Sequence, residues 1–401
     1  MSERVPDWAQ QLWDIVFSLN RLVARDKGTE PLLAFYYPEN DRRREPPLED
    51  YKSCRDKLEE LLTCSAELGL SDHRRRYLID VTTALIVQAE EGMGRPRSYG
   101  ELVASYLGVP GQPVPQDTVV QLQEKLADAL AMAGVRGSLE RAMERWRITA
   151  RIPPSELANR GVELLEQARK TTHDRVVQLP AKARMELELA HDVYYRGYSH
   201  ALDSYRGKIM LNADLPWTQA ELKALLAHEG CPGHFALNVL RLHQAEEGRL
   251  PPECAFYFAN TPITPVVEGT CNLGVYLLSW FRTVDDLVVW RYELLRAALL
   301  TNMCFMAYEE GANDAFLERY FESHGGGDEV AAKQAVRFVR HPLWRTSIPH
   351  YWYGTTLAFA AYKRALQRDD PNWLRRELFA RVHTYGTLSS SLAMCGDATS
   401  I

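Results

Sequence analysis

The stretch Thr218-Gln-Ala-Glu221-Leu-Lys-Ala-Leu-Leu-Ala-His228-Glu229-Gly230-Cys231-Pro232-Gly233-His234 carries the chemistry of the chain and orients the reading of the rest. Thr218 followed three residues later by Glu221 is the reciprocal capping pair that opens a helix. The apolar spacing continues that helix through Leu226 into His228 and Glu229. A neutral imidazole is a zinc ligand, and a carboxylate on the next residue is placed to accept a proton from water held by the ion. In the common H-E-x-x-H arrangement the two imidazoles lie four residues apart on one helix face. Here Pro232 takes that fifth position, and the second histidine, His234, follows His228 by six residues. In an unbroken helix it would stand about 240° round and roughly 9 Å along the axis. Two such ligands cannot share one ion at about 2.0 Å. The helix must therefore break. Pro232 disfavours helical geometry at Cys231 and Gly233 permits unusual dihedrals, so a kink is expected to swing His234 back towards His228.

A third ligand is offered by Pro265-Val-Val-Glu268-Gly-Thr-Cys-Asn-Leu-Gly-Val-Tyr276, in which Glu268 is the only acid. It is expected to open an otherwise apolar helix. A buried carboxylate there costs several kcal/mol unless paired or bound to metal; the alternative is that it complements a helix N-terminus. Upstream, Arg206–Asn212 is the one convincing strand candidate, bounded by Gly207 and the turn-prone Asn212-Ala-Asp-Leu-Pro216.

Outward from this centre, apolar residues recur at spacings of three and four, the period of half-buried helices. Helices are expected over 8–23, 48–68, 72–92, 117–133, 138–148, 154–177, 181–202, 218–226, 284–309, 313–323 and 329–338. Pro- and Gly-rich segments at 39–47, 109–115, 249–253, 261–265 and 325–327 punctuate them. The fold class is thus mainly α, with a short β-strand or small sheet beside the helix that carries the histidines. A boundary near Arg151-Ile-Pro-Pro154 would divide an N-terminal helical region, 1–150, from a metal-binding catalytic region, 151–401, although the two fit one continuous domain equally well.

The 401 residues include 47 basic and 53 acidic ones, a net charge of −6, with 46% apolar and 25% charged. This is an ordinary globular balance, not that of a disordered or collagen-like chain. Lacking a basic excess, the chain is not expected to bind nucleic acid. The seven cysteines (Cys54, Cys64, Cys231, Cys254, Cys271, Cys304 and Cys395) are scattered and form no C-x-x-C pair, which points to reduced thiols and a cytoplasmic setting. The N-terminus is charged, and no run approaches the roughly 18 apolar residues of a membrane span.

A strand, a helix ending in H-E-x-x-P-G-H and a later E-G together resemble the bacterial family called domain of unknown function 885, whose members look like gluzincin-type zinc metallopeptidases. The resemblance covers roughly 150–370 and takes in Arg291 to Arg296 and the late Tyr351-Trp-Tyr-Gly354, where the family has Tyr-x-x-Gly. It implies a multi-helix gluzincin-like body. His228, His234 and Glu268 would hold Zn2+, or another divalent transition metal, and Glu229 would be the general base. Tyr351 would donate a hydrogen bond to the developing oxyanion, with His350 and Arg345 as neighbours of the same kind. Three departures stand out: Phe235 replaces a second histidine after P-G-H, Thr270 replaces the Trp of E-G-W, and no Asp-x-x-x-His lies between Met303 and Tyr308. The first two would adjoin the metal and bear on the substrate.

The expected activity is peptidase-like hydrolysis of a peptide or small-molecule amide. The alternatives are a metal-dependent enzyme acting on a small non-peptide biosynthetic intermediate, or an inactive helical binding protein. Residues Lys208 to Leu211 are expected to offer a strand edge to an extended substrate. Tyr194, Tyr195, Tyr198 and His200 read as core aromatics or a pocket lining, and Cys231 as a buried apolar residue or a soft ligand. The basic runs Arg42 to Arg44 and Arg74 to Arg76 read as solvated faces.

Overall fold

In the computed structural model, which describes residues 4–29, 34–35, 46–65, 68–193, 195–255, 257–368, 370 and 372–393, helices account for most of the chain. Arg42 to Arg44, Tyr194, Cys395 and positions 39–45 lie outside the described residues. The helices are α1 (Arg4–Lys27), α2 (Tyr51–Ser65), α3 (Asp72–Gly92), α4 (Tyr99–Leu107), α5 (Gln116–Met132), α6 (Leu139–Thr149), α7 (Leu157–Thr171), α8 (Gln219–Glu229), α9 (His234–Glu246), α10 (Thr264–Asn272), α11 (Gly274–Leu277), α12 (Val284–Tyr308), α13 (Asp314–Ser323), α14 (Glu329–Val339), α15 (Pro349–Gln367), α16 (Trp373–Arg375) and α17 (Tyr385–Ala393). The ribbon β1 (Ala34–Phe35) and β5 (Tyr257–Phe258) is antiparallel. A mixed sheet joins β2 (Arg184–Ala190), β3 (Gly197–Ala201) and β4 (Arg206–Asn212) in the order β2-β4-β3.

The expected helix over 181–202 is not formed; β2 and β3 take its place. Leu, Glu, Met and Ala are good helix formers, but Met185, Leu187 and Leu189 alternate with Arg184, Glu186 and Glu188, which is the period of a strand. Leu187 packs where Gly161 of α7 has no side chain, and β2 runs parallel to β4 from Arg184↔Arg206 to Ala190↔Asn212. Strand β3 is antiparallel to β4 on its other side, so β4 is central and its Ile209 and Leu211 are fully buried. The expected free edge at Lys208 to Leu211 is therefore absent. The edge nearer α8 and α9 belongs to β3.

Helices from both sides of residue 150 share the two apolar cores: Trp8, Leu12 and Tyr77 with Leu226 and Phe235 in one, Val103 and Leu126 with Leu295 and Trp352 in the other. Arg74 is not part of a solvated face. It binds Glu253 bidentately, Nε to Oε1 at 2.6 Å and Nη2 to Oε2 at 2.8 Å, and the Glu253 side chain is 0% exposed. An acid so deeply buried needs such a partner.

Helices α10 and α15 cross in backbone contact. A Cβ on Gly269 would lie 2.0 Å from the Gly354 carbonyl oxygen, and one on Gly354 would lie 2.0 Å from that of Pro265. This crossing sets Glu268 beside His350 and Tyr351. Gly354→Ala must force the helices apart, so urea titration should show a loss of about 2 kcal/mol or more, as for other overpacked cores.

Candidate metal centre

Helix α8 begins at the expected box: Thr218 accepts from the Glu221 amide, and the Glu221 carboxylate accepts from the Thr218 amide. It ends at Glu229, and α9 starts at His234. Between them the Gly233 amide donates to the Ala227 carbonyl at 3.0 Å, folding the loop back on the helix. A Cβ on Gly233 would lie 1.8 Å from the His228 carbonyl oxygen, so only glycine fits this return. The two imidazoles meet edge to face with centroids 4.8 Å apart.

Glu268 comes in from α10. Its Oε1 is 3.2 Å from His234 Nε2 and its Oε2 is 3.5 Å from His228 Nε2. One ligand atom from each of the three side chains lies within 4.8 Å of the other two. Two ligands on a tetrahedral ion with bonds of about 2.0–2.1 Å are about 3.4 Å apart, so the two separations to Glu268 match. Glu268 occupies the second turn of α10 and is buried; it does not open the helix as expected, and the helix-terminus alternative fails with it.

A neighbouring amide orients the first ligand. Asn272 Nδ2 donates to Thr355 Oγ1 at 2.7 Å, which leaves its Oδ1 facing His228 Nδ1 at 2.8 Å. The proton therefore sits on Nδ1, and Nε2 presents its lone pair to Glu268 and the space beside it. Neither Asn272 nor Thr355 was anticipated from sequence. The signal available was the four-residue step from Glu268 to Asn272, which stacks the two on one helix face.

Burial pushes the Glu229 pKa up, against the pull of His228 and His234; Glu268 adds to the rise and the Ser199 backbone of β3 opposes it. Glu229 Oε1 lies 3.9 Å from His228 Nε2. Burial also works to raise Glu268, yet His234, His350 and His228 hold it far below the usual carboxylate range. Burial opposes a charge on His234, but Cys271 and Glu268 set its pKa well above the imidazole range. Because burial pushes the Cys271 thiol up as well, Glu268 is the partner that acts at neutral pH. His350 Nε2 stands 3.9 Å from Glu268 Oε2, and burial pushes this imidazole down to about 4. Glu268 Oε2 and both His350 nitrogens are buried without a hydrogen-bond partner. The Tyr351 ring lies tilted at 55° against His350 with centroids 4.1 Å apart, and burial, with Glu268, keeps its hydroxyl protonated.

His228, Glu229, His234, Glu268, His350 and Tyr351 are thus brought together. Arg345 is not: it pairs with Glu91 at 3.0 Å and covers the Tyr308 ring. Cys231 is buried and lines a separate cavity of about 410 Å³ with Leu165, Arg169 and Leu187. Tyr195 and Tyr198 are half-buried with rings 5.8 Å apart, and His200 is exposed on the edge strand. The two departures expected to adjoin the metal are both buried. Phe235 is buried against Gly207 of β4, and Thr270 donates to the Val266 carbonyl of its own helix at 2.7 Å.

No protein-family model and no curated protein matches the chain. Its fold is similar to the crystal structure of a candidate lipoprotein from Colwellia psychrerythraea, with a TM-score of 0.60, 14% identity and coverage of 87% of this chain and 70% of that one. It is also similar to a candidate lipoprotein of unknown function from Shewanella oneidensis, with a TM-score of 0.53, 12% identity and coverage of 86% and 71%. At such identities the likeness is one of fold alone. Among the described residues no helix is long and apolar enough to cross a membrane.

Because folding lowers the His350 pKa from 6.5 to about 4, on acidification the unfolded chain takes up the proton first. His350 therefore withdraws stability as the pH falls from about 6.5 to about 4 and withdraws none above that window. Nitrogen-correlated NMR of the metal-free protein should show a neutral His350 at pH 6 whose signals move only near pH 4.

Proposed function

We propose that this chain is a zinc-dependent, peptidase-like hydrolase of amide bonds. The observation that carries the reading is the convergence of His228, His234 and Glu268 beside Glu229. The donor set suits zinc: two imidazole nitrogens, which a bound ion would hold in the neutral form by displacing the proton that His234 shares with Glu268, and one carboxylate oxygen, as in zinc sites that keep a fourth position for water. The unpartnered Glu268 Oε2 is what a ligand carboxylate looks like when its cation is left out of account. Another divalent transition metal suits the same ligands, and cellular supply takes part in that choice.

When bound, the ion would act as a Lewis acid towards water and the scissile carbonyl. Glu229, a stronger base than a free carboxylate because burial raises its pKa, takes as the carboxylate a proton from the attacking water and passes it to the leaving nitrogen. Tyr351 and the neutral His350 stand on the Glu268 side of the centre and supply donors to the developing oxyanion. Edge strand β3 offers backbone groups along which an extended substrate can align. The likeness to the domain of unknown function 885 family supports it through the same residues. Unpaired thiols at all six described cysteines fit a reducing, cytoplasmic setting.

Metal analysis of the purified chain should return one zinc per molecule, lost in His228→Ala and in Glu268→Ala. Glu229→Gln should keep the zinc and lose at least about 100-fold in amide hydrolysis. Metal-free wild-type protein that is fully stable and inactive would favour a binding protein instead. Asn272→Ala should weaken zinc affinity about 10- to 100-fold in a chelator competition, the usual cost of losing a partner that orients a ligand.

A further inference from the structure

Two turns beyond His234 on α9, Arg241 is only 6% exposed. Its Nη1 is buried without a hydrogen-bond partner, and among the described residues the guanidinium enters no ion pair. A charge out of water and unpaired is strongly disfavoured, so a buried arginine ordinarily meets an anion. The packing around α9 fixes which groups could serve. After α9 the chain folds back, the Arg249 and Leu250 amides both donating to the Gln244 carbonyl at 2.8 and 3.0 Å, and the single turn Pro252–Ala255 packs along the helix. Helix α3 meets that turn through Arg74, which binds Glu253, and Tyr77 follows Arg74 on the same face of α3.

None of these neighbours supplies a counter-charge. Glu253 is spent, because Arg74 holds both of its oxygens. Burial pushes the Tyr77 hydroxyl and the Cys254 thiol far up, so neither is negative at neutral pH, although Arg241 pulls both down. Beside Arg241 on its own helix, Leu237 is buried and apolar and the Gln244 amide donates to the Phe379 carbonyl at 3.2 Å. Arg74, Glu253 and Arg241 together leave one positive charge over.

We propose that Arg241 holds a monovalent inorganic anion, a halide such as chloride, where α9, α3 and the Pro252–Ala255 turn join. One surplus positive charge calls for one negative charge, which a halide supplies and a sulfate would exceed. The depth of the guanidinium suits a compact, weakly hydrated ion rather than an organic acid. Bound there, the ion ties α9, which begins at His234, to α3 and to the turn that Arg74 and Glu253 secure. The inference stands apart from the hydrolase reading, since Arg241 is unpaired whatever the candidate centre binds.

The test is thermal unfolding at constant ionic strength as chloride or bromide replaces gluconate, a bulky organic anion. Either halide should raise the midpoint by about 3 °C, the shift expected for a chain of this length once the ion reaches about 100 times its dissociation constant. Arg241→Met should abolish the difference between gluconate and halide. Equal midpoints in gluconate and halide for the parent protein, or a halide shift that survives Arg241→Met, overturns the proposal. Should the Met variant fail to fold, crystals of the parent protein soaked in bromide decide the matter. Anomalous scattering from bromine beside Arg241 Nη1 upholds the site, and water alone at that position overturns it.

Discussion

Helices α10 and α15 touch backbone to backbone at Gly269 and Gly354, and the candidate centre depends on that contact. Real side chains keep about 3.4 Å or more from such neighbours, whereas a Cβ at either position would meet a carbonyl oxygen at 2.0 Å. The close crossing brings Glu268 to within 3.9 Å of His350. It also lets Asn272 of α10 reach Thr355 of α15, and through that bond Asn272 is held in the orientation that sets His228 of α8. A single steric allowance therefore aligns a carboxylate, an imidazole ligand and the flanking Tyr351 from three different helices.

The second constraint is electrostatic. Glu268 is an acid in an apolar helix, and a lone charge there would be strongly disfavoured. The structure answers with three imidazoles around one carboxylate, of which His234 lies nearest. Two arrangements satisfy such a cluster: a proton shared between Glu268 and His234, or a cation held by all three ligands. The unpartnered Glu268 Oε2 and the free Nε2 lone pair of His228 face the same space, which is the arrangement that a cation completes.

The short motifs that carry the family resemblance contain glycines whose reason is steric rather than chemical. In P-G-H, Gly233 clears the His228 carbonyl oxygen. In E-G and in Tyr-x-x-Gly, Gly269 and Gly354 are the two faces of one helix crossing. Each glycine stands next to, or a turn away from, a side chain of the candidate centre, and each permits the approach that places that side chain. The motifs are separated by tens of residues in the chain, yet two of them describe a single contact.

The sequence by itself determined the helical body, the box that starts α8, the break between His228 and His234, and the identity of the three convergent side chains. All of these rest on local information: the period of apolar residues, the chemistry of a cap, the covalent limits of Pro232 beside Gly233, and the kinds of atom that bind a metal. Only the tertiary structure decided that 184–201 forms two strands, that Asn272 and Thr355 orient His228, that Arg74 serves a buried Glu253, and that Arg345 is taken up by Glu91. The physical reason is the same in each case. A residue's type and spacing specify what it can do and which way its own element faces, whereas its partner across 50 or 250 positions of chain is selected by which surfaces pack. In 184–201 the two kinds of information competed: good helix formers lay in a two-residue alternation, and pairing with β4 outweighed their preference.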